Sequence, residues 1–399
     1  MSTLDSPISI LGGMTIRTFM EEYWQQKPLV IRGGLVDFPL PLEADELAGL
    51  SMEEEVESRI VIENGHTPWE LQQGPFNEDT FANLPETEWT LLVQAVDHWV
   101  PEIQELKERF HFLPSWRLDD VMVSYATEGG SVGPHFDQYD VFLIQVAGAR
   151  RWQVLSPSQY KDAPIKDIQL HILSEFTPDS TQEYDLQPGD ILYLPPNFAH
   201  NGRALDNDCM TYSIGFRAPS IQDALTGMHD QLIEETDEKR RFAAPGVFKE
   251  LHHAAIDSED IQYLHSELSK LLNQPEKLLD WLGQNMSDVK YPEFQKTLTA
   301  EEVSQALNQA KSGAAFFRPG DARICYAESF THPEQIKVFC NGDNLLVDKS
   351  LESLIQAICD QVEFDFTELD FSQHADLEPM LRFLFQAQGL VELIENEEL

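Results

Sequence analysis

Between residues 120 and 216 the chain carries five short runs rich in β-branched and aromatic residues: VMVSYAT, DVFLIQV, RRWQVL, DILYLP and MTYSIGF. Clusters of glycine, proline and aspartate separate them. That spacing predicts an all-β sandwich or barrel rather than alternating β/α units. Ahead of it, Thr15–Tyr23 reads as a helix, Lys27–Pro28 breaks it, and LVIR reads as a strand. WTLLVQAVDHW, residues 89–99, is apolar on most faces and reads as a buried helix. From Ser220 to about Val289 helical spacing dominates, as in DIQYLHSELSKLLNQ. The last hundred residues open on a helix (AEEVSQALNQA), pass through strand-like RICYA and IKVFC, and turn at Asn341–Gly342. Two helices, near Leu351 and Leu381, come after the turn. This layout fits a winged-helix module.

Composition narrows the class. Apolar residues make up 42% of the 399 and charged residues 24%, as in a soluble globular protein. The first residues lack the basic and apolar blocks of a signal peptide, and no run of eighteen apolar residues is present, so no membrane span is expected. Four scattered cysteines with no CxxC pair suit a reducing compartment, and the cytoplasm is the expected address. A net charge of −42 repels bare nucleic acid and attracts basic partners. Residues 301–399 hold six Lys and Arg against nineteen Asp and Glu, a net charge of −13, so phosphate binding by the winged-helix module is not expected.

The chemistry concentrates in GGSVGPHFDQYDVFLIQV, where a glycine-rich turn leads into a strand. His135 and Asp137 are residues i and i+2 and project from one face, so both can reach one ion. A third ligand from elsewhere completes a 2-His-1-carboxylate triad, which leaves open positions on iron(II) for a cosubstrate and O₂. HxD alone is weak evidence. A second copy, His374 and Asp376, lies in the mainly helical SQHADLEPMLRFLF with no later histidine. Three features favour the first copy. Arg150 lies on the far arm of a hairpin turning at Ala147–Gly148, where its guanidinium can take the distal carboxylate of a keto-diacid. His200 comes after GDILYLPPNFA, a strand ending in a Pro-Pro loop that presents the histidine. MTYSIGF supplies a closing strand whose Thr211 and Ser213 share a face with Gly215. The adjacent His252 and His253 face apart and read as surface residues. Gly129–Gly133 matches the G-x-S-x-G nucleophile elbow around Ser131, but Pro134 and an extended run occupy the place where a helix is needed.

GPHFDQYDVFLIQVAGARRWQV, PGDILYLPPNFAH and YSIGFRAPS together resemble the Jumonji-C branch of the cupin-fold oxygenases. More narrowly they resemble the bacterial ribosomal oxygenases that hydroxylate an arginine of the large-subunit ribosomal protein numbered sixteen. EYWQQKPLVIRGG, DELAGL, SRIV and WTLLVQAVDHW match that group as well. The resemblance is strong over about residues 15–220 and lies in general layout beyond. It implies an α+β chain: a double-stranded β-helix (cupin/Jumonji-C) catalytic domain over 1–219, a helical dimerisation region over 220–295 and a winged-helix-like domain over 296–399. It also implies iron(II) held by His135, Asp137 and His200, with 2-oxoglutarate and O₂ as cosubstrates. Arg150 stands at the family's position for the 2-oxoglutarate C5 carboxylate, and Ser124 matches a serine that contacts the same molecule. Thr211 stands where close relatives carry asparagine; with Ser213 it completes the expected cosubstrate contacts. The implied substrate is an arginine of a basic 50S ribosomal protein, met by a homodimer in the cytoplasm. A cationic side chain needs acidic or aromatic contacts near the metal, and Asp119, Asp120 and Tyr139 are the candidates.

The same residues admit three rivals. One is a Jumonji-C hydroxylase of histidine or asparagine, or a lysine demethylase. The second is a non-catalytic interaction protein that keeps a cupin shell. The third is a serine hydrolase using Ser131.

Overall fold

Thr15 opens the first helix by accepting the backbone N–H of Thr18, and α1 runs Ile16–Glu22. The structure is a computed structural model and describes residues 4–35, 42–239, 241, 254–367, 369–372 and 374–393. His252 and His253 lie outside the described residues, as does most of the acidic C-terminal run. The chain divides into two units, Met1–Ala218 and Pro219–Leu399.

In the first unit α1 ends at Glu22, turns span the residues up to Lys27, and β1 (Leu29–Ile31) begins just after Pro28. Then come α2 (Ala44–Leu50), β2 (Ser58–Asn64), β3 (Pro68–Gln73), α3 (Glu78–Ala82), β4 (Trp89–Val93) and α4 (Pro101–Glu108). The strands that carry the chemistry are β5 (Leu118–Ala126), β6 (Val141–Ala147), β7 (Arg150–Leu155), β8 (Glu183–Leu186), β9 (Ile191–Leu194), β10 (Ala199–Ala204) and β11 (Cys209–Phe216). Eight strands form one antiparallel sheet in the order β1-β9-β6-β11-β5-β4-β2-β3, and β10-β7-β8 form a second. Strand alternation gives the large sheet two apolar faces. One packs Val121, Val123, Tyr212, Ile214 and Phe142 beneath Phe19 of α1, Leu47 of α2 and Leu106 of α4. The other packs Leu143 and Leu192 against Trp152 and Val154 of the small sheet.

The structure corrects three sequence expectations. WTLLVQAVDHW is not a helix: β4 pairs with β2 and β5, and a 3₁₀ turn at Val96–His98 comes next. A central strand covered on both faces is as apolar all round as a buried helix, so composition cannot separate the two. The arms flanking Ala147–Gly148 do not pair as a hairpin. At Gly148, with φ +59°, the chain leaves the large sheet, where Ala147 pairs with Met210. It enters the small one, where Arg150 pairs with Ala204 and Leu186. Finally, His200 belongs to β10, opposite Val154 of β7, rather than to a loop. The segment AHNGRA has no β-branched residue, so its strand character comes from pairing and not from propensity.

The second unit contains α5 (Ile221–Glu235), α6 (Ser258–Leu272) and α7 (Pro275–Ser287). Beyond them lie α8 (Ala300–Lys311), β12 (Ala315–Phe317), β13 (Ile324–Glu328), β14 (Gln335–Cys340), β15 (Asp343–Asp348), α9 (Glu352–Asp360), β16 (Glu363–Asp365), α10 (Leu377–Gln386) and β17 (Val391–Glu392). Thr299 and Glu302 form a capping box at α8. Asn341 and Gly342 both take positive φ, the geometry of a tight turn joining β14 to β15.

Candidate metal centre

His135 lies in the extended lead-in to β6 and forms an isolated antiparallel bridge with His200. Each backbone N–H donates to the other's carbonyl, at 3.0 and 2.7 Å. The bridge holds the two rings with centroids 4.3 Å apart. His135 Nδ1 stands 2.9 Å from the Gly133 carbonyl, and His200 Nδ1 stands 3.0 Å from that of Phe198. A carbonyl only accepts, so Nδ1 carries the proton in both rings and each Nε2 keeps a lone pair for a metal. Asp137 is fixed through its carbonyl, which accepts the Asn197 N–H at 2.7 Å, and its Oδ2 lies 3.8 Å from His200 Nε2. One ligand atom from each of the three residues falls within 4.8 Å of the others. Burial, and then the neighbouring His135, push His200 down to about 4 against the pull of Asp137, so its imidazole is neutral at pH 7. This group could hold a metal ion.

Arg150 sits on β7 with 3% of its surface exposed. Its Nε donates to the Cys209 sulfur at 3.3 Å, and its buried Nη2 meets no hydrogen-bond partner among the described residues. On the large sheet Ser124 and Thr211 are register partners, and Ser213 stands opposite Met122 and Leu143. Ser124 Oγ donates to the Thr211 carbonyl at 3.3 Å, and Thr211 Oγ1 donates to Gln145 at 3.1 Å. Trp152, two residues beyond Arg150, lies 5.8 Å from the His200 ring. The interior therefore brings together a three-ligand group, a guanidinium with an unused donor and a wall of hydroxyls.

The JmjC domain model matches residues 105–224, and a ROXA-like winged helix model matches residues 270–388. A model of the AraC-like ligand binding domain matches residues 180–315, across the two units. The chain is 38% identical to the ribosomal protein uL16 3-hydroxylase of Escherichia coli, over 79% of this chain and 86% of that protein. It belongs to the JmjC ribosomal oxygenases. A probable ribosomal oxygenase of Haemophilus influenzae is 32% identical over 83% of this chain and 82% of its own length. The solved Escherichia coli ribosomal oxygenase YcfD, in complex with cobalt and 2-oxoglutarate, superposes with a TM-score of 0.74 at 32% identity, covering 95% of this chain and 98% of that one.

Other residues of this ribosomal oxygenase fall in and out of the site. Asp120 shares a strand face with Met122 and Ser124, is buried, and accepts from Gln94 at 2.8 Å. Asp119 alternates to the opposite face and pairs with Arg217 at 3.1 Å. Tyr139 keeps 41% of its surface exposed, and burial of its hydroxyl end, then the Asp137 and Asp120 carboxylates, push its phenol above the usual range. The second HxD copy is engaged elsewhere: His374 meets Ser350 Oγ at 3.0 Å, and Asp376 accepts the Asp348 N–H at 2.8 Å. Ser131 is fully buried, pairs with Asn201 at 2.9 Å and leads into no helix, so it is no nucleophile elbow.

Sequence reasoning passed over Gln145, Cys209, Trp152 and Asp140. Gln145 is the one polar residue between Val141 and Val146, a usable signal. Trp152 shares a strand face with Arg150, which was another. Asp140 is fully buried three residues past Asp137 and accepts from Tyr193 at 2.6 Å, Gln25 at 3.0 Å and Arg117 at 3.2 Å, which anchors the lead-in that carries the ligands.

Proposed function

We propose that the protein is an iron(II)- and 2-oxoglutarate-dependent oxygenase that hydroxylates an arginine side chain of a basic large-subunit ribosomal protein. The observation that carries this reading is Arg150, a buried cation whose Nη2 has no hydrogen-bond partner among the described residues. A buried charge calls for an opposite one, and the distal carboxylate of a keto-diacid supplies it with two-point geometry. Two imidazoles and one carboxylate suit iron(II) and leave room for cosubstrate and O₂. The relative solved with cobalt and 2-oxoglutarate supports the cofactor pair, and the relative that hydroxylates uL16 supports the substrate class.

In this reading His135, Asp137 and His200 hold the metal. Bound there, iron(II) supplies the activation of O₂ that couples decarboxylation of 2-oxoglutarate to succinate with insertion of oxygen into a C–H bond. Arg150 and Ser124 bind and orient the C5 carboxylate, beside Thr211 and Ser213. Leu143, Leu192 and Trp152 keep water from the same interior. The substrate guanidinium enters at Tyr139, whose ring is partly exposed, towards the Asp120 carboxylate. A chain charge of −42 steers a basic partner to it.

The finer assignments belong to the same proposal. The chain works as a catalytic domain over 1–219, a dimerisation region over 220–295 and a winged-helix-like domain over 296–399. Ile261, Leu264, Leu268 and Leu272 form an exposed apolar stripe along α6, which suits pairing of two copies. The acidic C-terminal domain supports that scaffold without holding nucleic acid. The four free cysteines suit the cytoplasm.

The test is mass spectrometry of a basic large-subunit ribosomal protein after incubation with the enzyme, iron(II) and 2-oxoglutarate. One added oxygen on an arginine is expected. The same gain on a histidine or asparagine moves the chain to a sibling reaction, and an unchanged spectrum overturns the reading.

A further inference from the structure

Three strands converge on one sulfur atom inside the barrel. Cys209 of β11 is fully buried, and its Sγ accepts from Arg150 Nε at 3.3 Å and from Gln145 Nε2 at 3.4 Å. Gln145 is itself held at both ends of its amide. Its Oε1 accepts from Thr211 Oγ1 at 3.1 Å, and its Nε2 also donates to the Ala147 carbonyl at 2.7 Å. The chain of contacts thus runs Thr211, Gln145, Cys209, Arg150, and every member is buried.

The choice of sulfur has a consequence for charge. A carboxylate in this place would satisfy the guanidinium and neutralise it. A thiol is a weak, uncharged acceptor, so it can orient Nε while leaving the positive charge for a ligand. The occupied Nε and the unpartnered Nη2 divide the guanidinium into a tethered edge and a presented end.

We propose that Cys209 and Gln145 are positioning residues that tether Arg150 by its Nε, so that a keto-diacid meets the Nη end and the site measures the diacid's length. This inference rests on the cosubstrate reading. With the tether intact the guanidinium stands at a fixed depth from the metal ligands. A diacid one methylene longer than 2-oxoglutarate then drives its carboxylate into the guanidinium. Without the tether the guanidinium is released to swing and to offer its Nε edge, so affinity for the fitting diacid falls and discrimination narrows.

The experiment is calorimetric titration of the full-length chain, loaded with manganese(II), with 2-oxoglutarate and separately with 2-oxoadipate. Cys209→Ala is expected to weaken 2-oxoglutarate by about threefold to tenfold, the range that one buried hydrogen bond commands. It should also reduce the preference over 2-oxoadipate, with manganese affinity unchanged and Cys209→Ser restoring most of the loss. Gln145→Leu, close in volume, removes the second donor to the sulfur and should likewise weaken 2-oxoglutarate and narrow its preference over 2-oxoadipate. If both variants bind the two diacids as the wild type does, the positioning role is overturned. If the wild type binds neither diacid, the cosubstrate reading fails first and this inference falls with it.

Discussion

Tyr193 is fully buried, and its hydroxyl does two jobs: it donates to Asp140 at 2.6 Å and accepts the Gln25 N–H at 2.8 Å. Asp140 in turn anchors the lead-in that carries His135 and Asp137. Tyr193→Phe keeps the shape but removes a donor from a buried carboxylate, a change that costs about 1–3 kcal/mol. Denaturant unfolding should register that loss as a lower midpoint with an unchanged slope. A midpoint equal to wild type would mean that Asp140 needs no help from β9. At the same scale, the two histidine ligands take their tautomers from neighbouring carbonyls, Gly133 for His135 and Phe198 for His200.

At the scale of elements, the small sheet sets the third ligand. Gly202 of β10 faces Trp152 of β7, and a Cβ there would lie 2.6 Å from the indole ring. Gly202→Ala must push that ring, which stands 5.8 Å from the His200 ring. Overpacking of this kind costs about 1–3 kcal/mol. It should lower manganese affinity together with the melting temperature, whereas a variant that melts lower but binds metal normally would separate Trp152 from the site. In the second unit α7 is pinned by an ionic cluster. Glu276 accepts from Lys337 at 2.7 Å, from Ser329 at 3.1 Å and from the Phe330 N–H at 2.7 Å, and Lys337 also pairs with Asp280. Burial opposes the Glu276 charge, but Lys337 and these donors outweigh it and hold the carboxyl below its ordinary 4.5. A depressed carboxyl stabilises the fold above its unfolded value and loses that contribution as pH falls through the folded one. Acid titration should therefore loosen the second unit below about pH 4.5, less steeply in Glu276→Gln. Equal acid sensitivity in both proteins would show that Glu276 contributes nothing to it.

Much of this element layout was legible. Five β runs, the helix beginning near Thr15 and the Asn341–Gly342 turn announced themselves through local chemistry. β4 did not, because burial on both faces erases the period of two, and β10 did not, because its strand state comes from pairing with β7. For the site, His135, Asp137 and Arg150 were readable as strand-spaced polar residues beside apolar runs. Cys209 and Gln145 were not, since the contacts of Cys209 with Arg150 and Gln145 span 59 and 64 residues of chain and form only across the barrel interior.

At the scale of the whole molecule, the net charge of −42 and the exposed apolar stripe on α6 fit the two partners proposed above, a basic protein and a second copy of the chain. Replacing Leu264 and Leu268 with glutamate touches only exposed positions. If α6 pairs two copies as proposed, sedimentation should report a dimer for the wild type and the monomer mass for this variant; a monomeric wild type would overturn the pairing, and a variant that stays dimeric would relocate the contact. Everything else depends on one interior holding both the metal and the keto-diacid that fuels it. The decisive measurement is succinate release from 2-oxoglutarate with iron(II) and a basic large-subunit ribosomal peptide, for the wild type and for His135→Ala. Peptide-dependent succinate is expected from the wild type and none above background from the variant. Equal release from both, or none from either, would contradict a shared interior.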